Sequence, residues 1–170
     1  YNQRIMVLFT ARSTLSDVYN ELKNSQFGKK IPIFAQILNS SRQSLIDGMK
    51  RSKNGILLGT SAFWEGVDLP GELLQILIIT KLPFDVPTEP TIRAYSEFLD
   101  QLGENPFINY TVPEAVIRFR QGFGRLIRTM SDEGIFVVLD DRIVTKRYGT
   151  NFSESIPVQM NVFTNISELE

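Results

Sequence analysis

The sequence predicts an α/β domain in which a mainly parallel sheet is covered by helices on both faces. Three observations carry this. Short apolar segments recur at residues 5–9, 55–59, 74–80 and 135–139 without regular polar alternation, the pattern of strands buried on both sides. Stretches of helical length and amphipathic spacing separate them. Ser, Thr, Gly and Pro gather where the two kinds of segment join, as chain reversals require.

Taken in order, residues 5–9 form a buried strand that runs into Thr10-Ala11-Arg12-Ser13. That tetrapeptide reads as a strand end followed by an N-cap, with Ser13 as the capping side chain and a helix over 14–25. Residues 31–35 resemble a second strand, and 41–50 a helix opened by a serine cap at Ser41. Residues 55–59 form a third strand, with 60–71 as a long loop behind it. The segment 74–80 is the most strand-like, rich in isoleucine and leucine. Pro83, Pro87 and Pro90 then exclude regular structure over 81–90. Helices are predicted at 91–102 and 113–129, with Pro113 suited to a first turn. A last strand covers 135–139, a short helix lies near 145–148, and the polar tail beyond Pro157 is peripheral. Ligands of parallel sheets bind at the carboxyl ends of the strands. Thr10, the 60–71 loop and the 81–90 loop all follow strands directly and so converge on that edge.

A chain of 170 residues suits one domain with a proper core, and 42% hydrophobic and 22% charged residues are ordinary for a globular protein. The net charge of −1 means that any affinity for nucleic acid must come from a local patch. There is no histidine and no cysteine. This excludes Ser-His and Cys-His nucleophiles, zinc sites and any iron–sulfur cluster held by this chain. No apolar run is long enough to span a bilayer, and cysteine usage fits a reducing, cytoplasmic setting. A first residue that is not methionine, with a strand close behind it, suggests that residues 1–170 are one domain excised from a longer parent.

Gln121-Gly122-Phe123-Gly124-Arg125-Leu126-Ile127-Arg128 is the most informative segment. On a helical wheel of about 100° per residue, Gln121, Arg125 and Arg128 fall within roughly 60° of each other, while Val116, Phe119, Phe123, Ile127 and Met130 gather opposite. Guanidinium forks suit phosphate oxygens and stabilise the charge of phosphoryl transfer; a solvated basic face is the alternative. Arg118 and Arg120 extend the positive patch. In the 60–71 loop, Thr60 and Ser61 offer hydroxyls and amides to a phosphate without adding charge. Gly66 and Gly71 allow unusual backbone angles, and Glu65 and Asp68 can orient arginines or accept bonds from a ribose. Trp64 is read as packing. The glycines at 122 and 124 lie in a helical pattern with isoleucine at the third position, so no dinucleotide loop is inferred. The chain has no G-x-x-x-x-G-K-[ST], and its nearest acidic pair, Asp140-Asp141, stands near the end. Arginines suited to a phosphate, without a phosphate loop, imply a nucleotide held by another domain, with an arginine finger supplied across the interface.

Val7 to Ser13, Gly59 to Gly71, Lys81 to Pro87 and Gln121 to Arg128 resemble successive motifs of superfamily 2 helicases. Phe63-Trp64-Glu65-Gly66-Val67-Asp68 and Leu82-Pro83-Phe84 resemble the DinG/XPD branch in particular. The resemblance implies the second of two RecA-like motor domains, three-layered, in an ATP-dependent DNA helicase. ATP with Mg²⁺ would be held mainly by the absent first domain, the upstream partner in the same parent chain. Gln121 and Arg125 would face the γ-phosphate, with Arg128 as the finger. Gly66, Asp68 and Glu65 would lie near the ribose and the catalytic arginines. Thr10, Ser13, Thr60 and Ser61 would touch the backbone of single-stranded DNA. The family implies no membrane partner, a generally 5′ to 3′ polarity, and in some Gram-positive relatives a fused exonuclease without unwinding. The iron–sulfur cysteines of many relatives belong to the first domain. Two other readings stand beside this one: a non-catalytic module binding single strands or a partner, and a stand-alone small-molecule enzyme, which the missing histidine, cysteine and nucleotide loop disfavour.

Overall fold

The computed structural model describes residues 3–37, 40–60, 63, 73–129, 132–165 and 168. Five strands, β1 (Arg4–Leu8), β2 (Ile33–Ala35), β3 (Gly55–Gly59), β4 (Ile76–Ile79) and β5 (Ile135–Val138), form one sheet in the order β2-β3-β1-β4-β5. Every pairing is parallel. β3 lies between two neighbours and is buried at all five positions, which explains why its sequence carries no polar alternation.

Helices α1 (Arg12–Asn24) and α2 (Arg42–Arg51) follow β1 and β2. Between β4 and β5 come α3 (Pro90–Gln101), a π-helical turn (Phe107–Thr111) and α4 (Val112–Leu126); α5 (Arg142–Thr145) and α6 (Gly149–Ser153) close the fold. The core has two parts, one on each face of the sheet. Leu15 of α1 packs with Phe9, Ile31, Ala35, Ile56 and Leu58. On the other face Leu45 and Met49 of α2, Phe119 and Phe123 of α4 and Phe152 of α6 close over Met6, Leu8, Leu57 and Leu77. Residues 158–165 form no helix or strand; Ile156 is buried and Met160 packs on the core.

α2 begins as its sequence predicts: Ser41 is the N-cap and its hydroxyl accepts from the Ser44 N–H at 3.1 Å. Ser41→Ala should therefore cost about 1 kcal/mol, read as a lower midpoint in urea denaturation of the domain.

Four boundaries differ from the sequence reading, each for a physical reason. α1 starts at Arg12 with Ala11 as N-cap and no side-chain capping bond, so Ser13 lies inside the first turn. The helix expected from Pro113 instead continues a π-helical turn that opens at Phe107. Asn105 Oδ1 accepts the Phe107 and Ile108 N–H groups at 3.0 and 3.2 Å, moving the start upstream. Pro113 supplies no N–H, and the Val112 N–H reaches back five residues to the Phe107 carbonyl. α4 stops at Leu126 rather than Thr129 because Ile127 is extended (φ −115°, ψ 110°). The Asp132 carboxylate takes the Arg128 and Thr129 N–H groups at 2.8 and 3.0 Å. Finally, the single short helix expected near 145–148 is replaced by α5 and α6, which flank Tyr148.

Candidate functional site

Along the carboxyl edge of the sheet, four neighbouring strands end in polar residues: Gln36 after β2, Thr60 after β3, Thr10 after β1 and Thr80 after β4. Thr10 and Ser13 are exposed, at the end of β1 and in the first turn of α1. The amide groups opening α1 face no capping side chain, and such amides are natural donors to an anion. Thr60 is only 5% exposed. Its N–H and its hydroxyl both donate to Gln36 Oε1, at 2.9 and 2.8 Å. Thr80 uses its hydroxyl to bond the Leu8 carbonyl at 2.9 Å. Ser61, Trp64, Glu65, Gly66, Asp68 and Gly71 lie outside the described residues.

The loop after β4 is clamped from three directions. Asp140, buried at the end of β5, accepts the Leu82 N–H at 2.8 Å. The same carboxylate receives the Arg142 guanidinium, Nε lying 2.9 and 3.0 Å from its two oxygens. Arg142 stacks 5.2 Å from the centre of the Phe84 ring, which also meets Phe107, Tyr148 and Phe152 edge-on or stacked. Asp85 pairs with Arg118 of α4. Burial favours the neutral form of Asp140, but the Arg142 fork and the Leu82 amide outweigh it and hold the carboxyl below its ordinary range. Asp140 of the Asp140-Asp141 pair is thus committed to structure. Arg118, read as part of the basic patch, ties α4 to the loop.

Gln121 and Arg120 are exposed on α4, whereas Arg125 is half-buried with its Nε shielded from solvent. Phe119 and Phe123 are buried on the opposite face, as the wheel predicts. Arg128 is exposed but lies past the end of α4, so its position follows from the turn closed by Asp132 and not from helical register. Those backbone bonds at Arg128 and Thr129 lower the affinity of the Asp132 carboxyl for its proton. Met130 lies outside the described residues. The arginine end of α4 sits low on the sheet: a Cβ on Gly134, just before β5, would lie 2.5 Å from Leu126 Cδ1 and 3.1 Å from the Gln75 carbonyl. The polar strand ends and the arginine end are therefore separate regions of one domain.

Gln36, Asp132, Asp140 and Arg142 were not singled out by sequence reasoning as partners of these sites. Asp140 carried a signal, an acidic residue directly after a predicted strand. Gln36 had the same placement. Nothing local marks Asp132, whose role depends on a turn.

An all-parallel five-stranded sheet with helices on both faces and an arginine-bearing helix between its last two strands is the arrangement of a RecA-like α/β domain. Residues 1–159 match the model of the helicase C-terminal domain, and the chain belongs to that family. It is 42% identical over 167 residues to the 3′-5′ exonuclease DinG of Bacillus subtilis, covering 98% of this chain and 17% of that protein. It is also 42% identical over 155 residues to the ATP-dependent DNA helicase DinG of Photobacterium profundum, covering 89% of this chain and 22% of that protein. The chain thus spans about a fifth of the length of these relatives. A solved XPD structure in its apo form superposes with a TM-score of 0.69 at 16% identity, over 92% of this chain and 32% of that one. At that identity the likeness speaks for the fold. Among the described residues no helix is long and apolar enough to cross a membrane.

Proposed function

We propose that this domain is the second motor half of an ATP-dependent DNA helicase of the DinG/XPD type. Its arginines complete a nucleotide site opened by an upstream RecA-like domain. What supports this is the set of Gln121 and Arg125 on α4 with Arg128 just past its end, in a chain whose sequence carries no phosphate loop. An amide and two guanidinium groups are donors, and a donor set of this kind fits phosphate oxygens. ATP is the substrate, its Mg²⁺ held mainly by the upstream domain. Gln121 and Arg125 contact the γ-phosphate and Arg128 stabilises transition-state charge. Gly66, Asp68 and Glu65 stand near the ribose. Thr10, Ser13 and Ser61, with the end of β3 at Thr60, follow the single-stranded DNA backbone, where contacts position the strand without reading sequence. Closure and opening of the two halves then move the strand.

The purified domain should hydrolyse no ATP, whereas the parent should do so with stimulation by single-stranded DNA. Clear turnover by the isolated domain would refute a split site. A second reading has one specific support, the exonuclease name of the Bacillus subtilis relative: the same motor half would serve a nuclease-fused protein that does not unwind DNA. Strand-displacement assays on the parent separate the two.

A further inference from the structure

We infer that Gln36 is a strand-binding residue, its side-chain amide donating to a phosphate oxygen of single-stranded nucleic acid that crosses the ends of β2 and β3. The inference rests on the strand path proposed above and changes which atoms line it. The sequence points to the Thr60 hydroxyl as the donor. In the structure that hydroxyl is buried and already given to Gln36 Oε1 at 2.8 Å. The Thr60 backbone N–H donates to the same oxygen at 2.9 Å. A backbone N–H can only donate, so the Gln36 atom facing it must be the carbonyl oxygen. The orientation of the amide is therefore fixed by chemistry.

Two consequences follow. The Gln36 NH₂ group points away from Thr60, and it has no hydrogen-bond partner among the described residues. It is also pre-positioned: two bonds to its oxygen and the Gln36 N–H bond to the Leu58 carbonyl at 2.9 Å hold both ends of the residue. An immobilised neutral donor loses little entropy on binding. Its surroundings favour an anion. Arg42 stacks 5.7 Å from the Phe63 ring centre, and the Phe63 N–H bonds the Thr60 carbonyl at 2.8 Å, so a cation stands beside the ledge. Thr10 lies exposed beyond Thr60 on the neighbouring strand. Gln36 after β2 and Thr10 after β1, about two strand spacings apart with Thr60 between them, thus offer two donors suited to a phosphate backbone.

The test uses the full-length parent and a fluorescent oligo-dT, with affinity read by anisotropy. Gln36→Glu keeps an oxygen for Thr60 but replaces the NH₂ with a negative oxygen. Its Kd should rise about tenfold or more with little change in Tm. The increase should be smaller on an oligomer whose linkages are neutral methylphosphonates. Thr60→Val, which removes one tether and leaves the backbone bond, should raise Kd about two- to threefold, and it decides the matter should Gln36→Glu fail to fold. Affinity within twofold of wild type in the folded variants overturns the assignment of Gln36. Failure of the wild-type protein itself to bind oligo-dT overturns the strand path, a distinct result.

Discussion

Replacing Arg128 with alanine in the full-length parent should reduce DNA-stimulated ATP turnover by about 10³-fold or more, the scale of an arginine finger. Arg128 is exposed and past the end of α4, and the turn that places it is held through its backbone by Asp132 at 2.8 Å. Removing the side chain leaves that bond in place, so fold and strand affinity should survive while kcat falls. Steady-state ATPase assays with saturating oligo-dT, paired with anisotropy binding, make the check. A variant that turns over within threefold of wild type would reduce the stripe of Gln121, Arg125 and Arg128 to a solvated basic face. The non-catalytic binding module would then be the better description.

What was legible in the sequence divides along physical lines. The strands were readable because each is a continuous apolar run with no competing pattern, and β3, buried at every position, is the clearest case. The buried face of α4 was readable for the same reason, since Phe119 and Phe123 recur at helical spacing. The end of α4 was not. Helical periodicity continues through Ile127 and Arg128, and the group that halts it is a carboxylate several residues later, Asp132, bonding backwards. The π-helical turn before α4 was hidden likewise, because it depends on Asn105 and Pro113 acting together. Motif reading placed Thr60 at the end of β3 but not its partner: that Thr60 gives its hydroxyl to Gln36 depends on β2 and β3 being neighbours, a fact of topology. The roles of Glu65, Gly66 and Asp68 rest on the resemblance.

Asp140→Ala should destabilise the domain by about 2–3 kcal/mol, the range for losing hydrogen bonds to a buried charge. The loss falls below that of a fully buried ion pair because the Arg142 side chain is 36% exposed and partly screened by water. The substitution strips an acceptor from the Leu82 N–H and a fork partner from Arg142, which then no longer steadies Phe84. The pH dependence has a definite sign. The folded state holds the Asp140 carboxyl below its ordinary range, so its stabilisation is present above the unfolded value of about 4 and disappears as pH falls through the folded one. Urea midpoints of wild type and Asp140→Ala should therefore differ clearly at pH 7 and draw together below about pH 4. Equal midpoints at pH 7 would show that the clamp adds nothing. The functional consequence runs through the same loop: Asp85 joins it to Arg118 on α4, the helix that carries Gln121 and Arg125. Loosening the loop should thus weaken stimulation by DNA more than it weakens unstimulated turnover, because the loop follows β4 at the strand-end edge while the arginines stand at the far end of α4.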